Sequence, residues 1–269
     1  MKTLTTTILT LLSIWTSYSQ TAQDYTKTGL DKYYSADYEG AIKDFTKVIA
    51  LDPTGTGGYL NRANSKFNIQ NYYGAVSDYS KVIEIDPNFE FAFYSRGTSK
   101  EEVEDFQGAL LDYNKAIKIE PDFEIAYFKR GSLKINMEDY RGAIEDYTKV
   151  IELRSGDSNA YTNRGYSKIL LNDFYGGIED CNSAIELEPN NINAYLNRGN
   201  AKFELGNYKG ALEDYNKTVE LDTNVALYVY KRGLTKLLLN QNNSGCLDLY
   251  KARDLGMEMA INAIENFCK

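Results

Sequence analysis

The sequence predicts an all-α chain made of stacked helix-turn-helix units, and three observations carry that prediction. Tyr59, Phe93, Tyr127, Tyr161 and Tyr195 recur at intervals of 34 residues, and Ala41, Ala75, Ala109, Ala143 and Ala211 keep the same phase. Within each interval, apolar residues follow helical spacing on both sides of a short polar break such as Asn71-Tyr72, Glu138-Asp139 or Asn207-Tyr208. Pro53, Pro87, Pro121 and Pro189 share one place in the interval, where a proline cannot continue a helix. A unit of this length cannot bury its apolar face alone, so it stacks on copies of itself into a solenoid.

Taken in order, residues 1–19 precede the repeats and read as a secretory signal peptide. Lys2 supplies positive charge, Ile8 to Trp15 is a short apolar stretch, and Ser17-Tyr18-Ser19 gives a small-x-small pattern before Gln20. The stretch is too short, and too interrupted by Thr and Ser, for the roughly 20 apolar residues that span a bilayer. The expectation is an exported chain, periplasmic or secreted, with no integral membrane segment after cleavage. Residues 20–269 then form a single solenoid domain. Its units run 22–55, 56–89, 90–123, 124–157, 158–191, 192–225 and 226–259, and a capping helix covers about 257–268.

Numbered from Ala22 as position 1, the units carry an aromatic at position 4, Gly or Ala at 8, Ala at 20, an aromatic at 24 and Pro at 32. This pattern resembles the tetratricopeptide repeat family across residues 22–256. The resemblance implies a right-handed superhelical solenoid (α-α superhelix) closed by a C-terminal capping helix. The small residues would let the paired helices approach, and the aromatics would fill the space between them. Departures fall late: Gly177 and Cys181 replace Ala and aromatic in unit five, and unit seven has Val229, Gly245 and Leu249. Gly176, Gly177, Cys181 and Ser155-Gly156 together suggest a hinge in unit five, because each helix Gly costs on the order of 1 kcal/mol relative to Ala.

Asp recurs at position 23 in all seven units, from Asp44 to Asp248, and Arg at position 7 in six, from Arg62 to Arg232. A fork-like Arg–Asp pair between the two helices of a unit explains this better than an anion-binding stripe. Arg→Leu at one rung is then expected to be milder than Arg→Ala or Asp→Ala. Lys fills position 11 throughout, from Lys32 to Lys236, and reads as a solvated stripe whose stems cover apolar surface.

In the family, positions 2, 5, 6, 9 and 13 of the first helix line a concave groove where peptides or folded partners bind. Carried over, Phe91, Tyr94, Ile125 and Phe128 form an apolar patch in units three and four, either partner anchors or part of the solenoid core. Asn159, Asn163, Tyr166, Asn193, Asn197 and Asn200, with Asn61 and Asn64 in unit two, form a polar stretch. It is either a ladder that holds a peptide backbone or a solvated face. Lys129 and Lys231 at position 6 favour acidic partners, whereas position 2 lacks the Lys or Arg of a carboxylate clamp.

Composition narrows the function. A net charge of -8 argues against a nucleic-acid partner. With no His, His-based triads and His-ligand metal sites are excluded, the three Cys lack metal-ligand spacing, and no phosphate-binding Gly loop is present. No catalysis, cofactor or metal is therefore expected. The reading is a monomeric scaffold or adaptor that binds a protein or peptide in its groove; the alternative is a structural part of an envelope or secreted assembly, docked end to end or permanently. In an oxidising compartment Cys246 and Cys268 either pair as a disulfide or stay as two buried thiols, while Cys181 occupies a core position.

Overall fold

The computed structural model describes residues 21–268, so the signal peptide expected at 1–19 lies outside the described residues. Among them every regular element is a helix, and the chain divides into two compact units between Pro121 and Asp122. The first unit holds three helix pairs: α1 (Ala22–Tyr34) with α2 (Tyr38–Leu51), α3 (Thr56–Asn68) with α4 (Tyr72–Ile85), and α5 (Glu90–Glu101) with α6 (Phe106–Ile119). The second holds four: α7 (Glu124–Asn136) with α8 (Tyr140–Leu153), α9 (Ser158–Leu170) with α10 (Phe174–Leu187), α11 (Ile192–Glu204) with α12 (Tyr208–Leu221), and α13 (Ala226–Leu238) with α14 (Asn242–Asp254). A terminal helix, α15 (Met259–Phe267), packs on α14 and starts two residues later than its sequence expectation. Inside each unit the second helix of one pair packs on the first helix of the next.

One turn design is copied between the paired helices. Position 15 adopts positive φ, from Ala36 at 64° to Asn240 at 59°, which reverses the chain direction sharply. Position 16 is Asp or Asn in six pairs, and its side chain accepts a hydrogen bond from the N–H of the Gly at position 19, as Asp139 does from Gly142 at 3.0 Å. A Cβ on Gly142 would stand 2.2 Å from that carboxylate. Gly176 is the fifth copy of this capping glycine, bonded to Asp173 at 3.0 Å, and so is not the mark of a hinge.

The core of each pair is the ring at position 24 packed on the small residue at position 8. Phe45, Tyr79, Tyr113, Tyr147 and Tyr215 are all buried. A Cβ on Gly97 would stand 2.9 Å from the Tyr113 ring, which leaves no room for a larger residue. The fifth pair solves the packing differently. Cys181 is small, and a Cβ on Gly177 would meet Ile169 at 2.4 Å and the Gly165 carbonyl oxygen at 3.0 Å. The two backbones therefore close into the space that the missing ring leaves. Gly245 against Gly233 and Leu237 repeats this arrangement in the seventh pair, where Leu249 replaces the ring. Gly177 is a packing glycine, and the hinge expected of unit five loses its two glycine arguments.

At the C-terminus Cys246 of α14 and Cys268 after α15 are joined as a disulfide, with Cα atoms 5.6 Å apart. Cys181 is buried as a free thiol, and burial pushes its pKa up to about 12, far from a reactive thiolate.

Candidate functional site

The recurring charges are consumed inside the repeats. Arg164 on α9 grips Asp180 on α10 through two hydrogen bonds of 2.9 and 2.7 Å, and the same fork joins Arg62 to Asp78, Arg96 to Asp112, Arg198 to Asp214 and Arg232 to Asp248. The lysine at position 11 closes on the same carboxylate: Lys168 lies 2.8 Å from Asp180 and Lys66 lies 2.7 Å from Asp78. This corrects the reading of those lysines as a solvated stripe. From the second pair onward each buried Asp is a two-cation centre, which satisfies both carboxylate oxygens. In the first pair, where Thr28 stands in place of Arg, Thr28 and Lys32 share Asp44 at 3.0 and 2.7 Å. The third Arg nitrogen reaches back to the preceding pair, as Arg164 does to Thr148 at 3.2 Å and Arg198 to Asn182 at 2.6 Å. The guanidinium also lies over the position-4 ring, 5.5 Å from the Tyr161 centroid. One side chain thus ties three helices.

The candidate groove residues divide by the same logic. Asn64 and Asn200 at position 9 accept hydrogen bonds from the hydroxyls of Tyr79 and Tyr215, at 2.5 and 2.9 Å. Asn163 donates to Tyr147 from the next repeat at 3.3 Å. Their first task is to satisfy buried phenols, which burial pushes above the usual tyrosine range, to about 12 for Tyr147. Tyr94 is half-buried, its ring 6.1 Å from Tyr113, and Phe128 packs edge-on against Tyr147 at 5.4 Å. Phe91 and Ile125 are more open, at 39% and 46% exposure. Asn61 and Asn197 are half-buried, while Asn159 and Asn193 are exposed.

Tyr166 stands apart. It holds position 9 opposite Cys181, so it has no buried phenol to serve, and it is 38% exposed. It lines a cavity of ≈ 440 Å³ with Leu170, Asn200, Phe203, Tyr230, Lys231 and Leu234 on the first helices of pairs five to seven. Phe203 and Leu234 also wall a neighbouring cavity of ≈ 360 Å³, completed by Leu237, Leu238 and Phe267 beside the disulfide. Lys231 is half-buried, and its ammonium makes no ion pair or hydrogen bond among the described residues. Burial lowers its pKa, with Glu204 pulling the other way. A third cavity, ≈ 630 Å³, brings Ile125, Phe128 and Asn159 together beside Arg154, which pairs with Glu124 at 2.9 Å. The sequence reading therefore found Tyr166, Asn200 and Lys231 but missed Phe203, Tyr230 and Leu234. Tyr230 and Leu234 are large at positions 5 and 9 of unit seven, where unit five has Thr162 at 5 and unit six has Asn200 at 9. Phe203 shares its apolar position 12 with Phe67, Ile135, Ile169 and Leu237 and carries no signal of its own. Among the described residues no His, Cys, Asp or Glu cluster is placed to hold a metal, and no helix is long and apolar enough to cross a membrane.

Successive helix pairs of 34 residues, most with a ring packed on a small residue and all with a buried Asp held by the facing helix, define an α-helical repeat protein. Tetratricopeptide repeat profiles match residues 57–89, 125–157, 158–191 and 192–224, within a residue of units two, four, five and six, and the chain belongs to that family. A tetratricopeptide repeat protein segment from Cytophaga hutchinsonii superposes with a TM-score of 0.73 at 17% identity, over 88% of this chain and 98% of that one. One from Parabacteroides merdae gives 0.67 at 18%, over 92% and 99%. YrrB, described as a protein of this family with an unusual peptide-binding site, gives 0.62 at 21%, over 69% and 96%. At these identities the likeness is one of fold. No curated protein sequence matches the chain.

Proposed function

We propose that this protein is an exported, non-catalytic scaffold that binds an extended segment of another protein along the first-helix face of its repeats, as a monomer. The observation that carries this reading is the apolar trough over pairs five to seven, where Tyr166, Leu170, Phe203 and Leu234 line open cavities beside a lysine without a partner. Exposed rings and aliphatic chains gathered in a concavity are what a partner covers. The peptide-binding site named for YrrB supports the same use of the fold. Export draws support from the signal-like residues 1–19 and from the Cys246–Cys268 disulfide, which persists in an oxidising compartment.

Quantitative affinity capture tests the reading, with the full chain compared with Tyr166→Ala/Leu234→Ala and with Glu145→Ala/Glu179→Ala on exposed second-helix sites. The groove variant is expected to lose its captured partner and the second-helix variant to keep it. Equal capture by both variants overturns the groove assignment.

A further inference from the structure

The charges on the first-helix face of the second unit are unevenly committed. Lys134, Lys168, Lys202 and Lys236 all sit on their rung carboxylates, at 2.7 to 2.9 Å. Lys129 and Lys231 pair with no carboxylate among the described residues. Acids without an ion pair among the described residues lie mostly elsewhere: Glu145, Glu179, Glu186 and Glu213 are exposed on the second helices α8, α10 and α12, where Glu152 and Glu220 pair with Lys149 and Lys217. The trough presents one cation, Lys231, against walls that are apolar except for Glu204, the one acid in its lining, which forms no ion pair with it. That is electrostatic complementarity to an acidic partner and against a basic one.

We infer that the trough receives an internal segment of a partner protein in which an aromatic or long aliphatic side chain is flanked by aspartate or glutamate. The apolar chain seats against Tyr166, Leu170, Phe203 and Leu234, and the carboxylate lands on the Lys231 ammonium. This deepens the scaffold reading and rests on it. Lys231 is the element that selects: its ammonium is half-buried, and the attraction of Glu204 does not offset that burial, so a carboxylate at contact distance supplies what the protein does not. The apolar wall continues past Phe203 and Leu234 into the second cavity, so the bound chain runs on and does not end at the lysine. The side chain of Asn197 makes no hydrogen bond among the described residues, and Asn200 gives only its amide oxygen to Tyr215, so both N–H₂ groups remain to donate to peptide carbonyls.

The experiment uses the fact that Trp15 is the one Trp of the chain. In the full chain carrying Trp15→Phe, emission reports only a tryptophan supplied by the ligand. Three peptides blocked at both ends serve as probes: Gly-Ser-Asp-Trp-Asp-Ser-Gly, the same with Asn for Asp, and the same with Lys for Asp. The Asp peptide is expected to show a blue shift and to bind about tenfold more tightly than the Asn peptide, the factor that 1.4 kcal/mol corresponds to, with the Lys peptide weakest. Lys231→Gln should bring the Asp and Asn peptides to equal affinity, Lys129→Gln should leave their order unchanged, and Leu234→Asp should abolish the shift for all three. If the preference for Asp survives Lys231→Gln, or is lost in Lys129→Gln, the assignment to Lys231 is wrong while groove binding stands. If no peptide shifts, yet Tyr166→Ala/Leu234→Ala still loses the captured partner, this inference fails alone. Should capture also be indifferent to that variant, the scaffold reading falls with it.

Discussion

Asp180 shows what the recurring charges do. Its carboxylate is buried between Arg164 and Lys168, while Arg164 also holds Thr148 and the Tyr161 ring. The carboxylate has two cations, so losing either one leaves a charge pair in place, whereas losing the carboxylate strands both. This sharpens the expectation that removing different members of the rung has different costs. Arg164→Leu keeps an aliphatic stem over Tyr161 and leaves Lys168 on Asp180, so it should cost about 1–2 kcal/mol; Asp180→Ala should cost about 3–5 kcal/mol, the range for stranding buried charge. Denaturant midpoints of the two variants check this, and an Arg164→Leu as damaging as Asp180→Ala would show that the lysine carries no load. The Arg–Asp pair could be read from the sequence because both residues recur in phase. The lysine's role could not, since convergence on one carboxylate is set by how two helices cross, which a period does not express.

At the scale of the element, the fifth helix pair separates propensity from packing. Judged by propensity alone, glycine within α10 is a weakness, and Ala in its place should add about 1 kcal/mol of stability. Packing gives the opposite sign, because a Cβ on Gly177 would stand 2.4 Å from Ile169 and 3.0 Å from the backbone oxygen of Gly165. Ile169 can shift, but the carbonyl belongs to the facing helix and can move only with it. Gly177→Ala is therefore expected to destabilise by about 1–3 kcal/mol, as overpacking does, and to raise amide exchange in α9 and α10. A more stable Gly177→Ala protein would restore the hinge reading. The pairing of small residues here was written in the sequence as two separate departures, Gly177 and Cys181. Only the distance between the helices shows that they are one feature.

Across the whole molecule, the regular and irregular parts of the repeat carry different information. The helices, their turns and the buried rings recur, so the period alone located them. Tyr166, Phe203, Tyr230 and Leu234 form a trough because large side chains from three successive units meet there, and no single period marks that meeting, since Phe203 recurs as Phe67 and Tyr230 as Tyr94. The polar partners at position 9 illustrate the same limit. Asn64, Ser132 and Asn200 look like groove residues in sequence, yet each hydrogen-bonds the phenol at position 24 of its own unit. Those phenols give the molecule a pH dependence. Burial raises the pKa of Tyr79, Tyr113, Tyr147 and Tyr215 above the ordinary value near 10, to about 12 for Tyr147. A folded-state pKa above the unfolded one means that the folded chain holds its proton longer. The stabilisation is full below pH 10 and is lost as pH rises from 10 toward 12 and beyond. With 23 Tyr in the chain, absorbance of tyrosinate should keep rising above pH 10, where the buried set ionises together with loss of helical circular dichroism. Tyr147→Phe removes one ionisable phenol, so it should weaken stability by about 1 kcal/mol at neutral pH through the lost hydrogen bonds and yet delay alkaline unfolding relative to its own neutral baseline. A single tyrosinate phase complete near pH 10 with the helices intact would mean that these phenols are open to solvent.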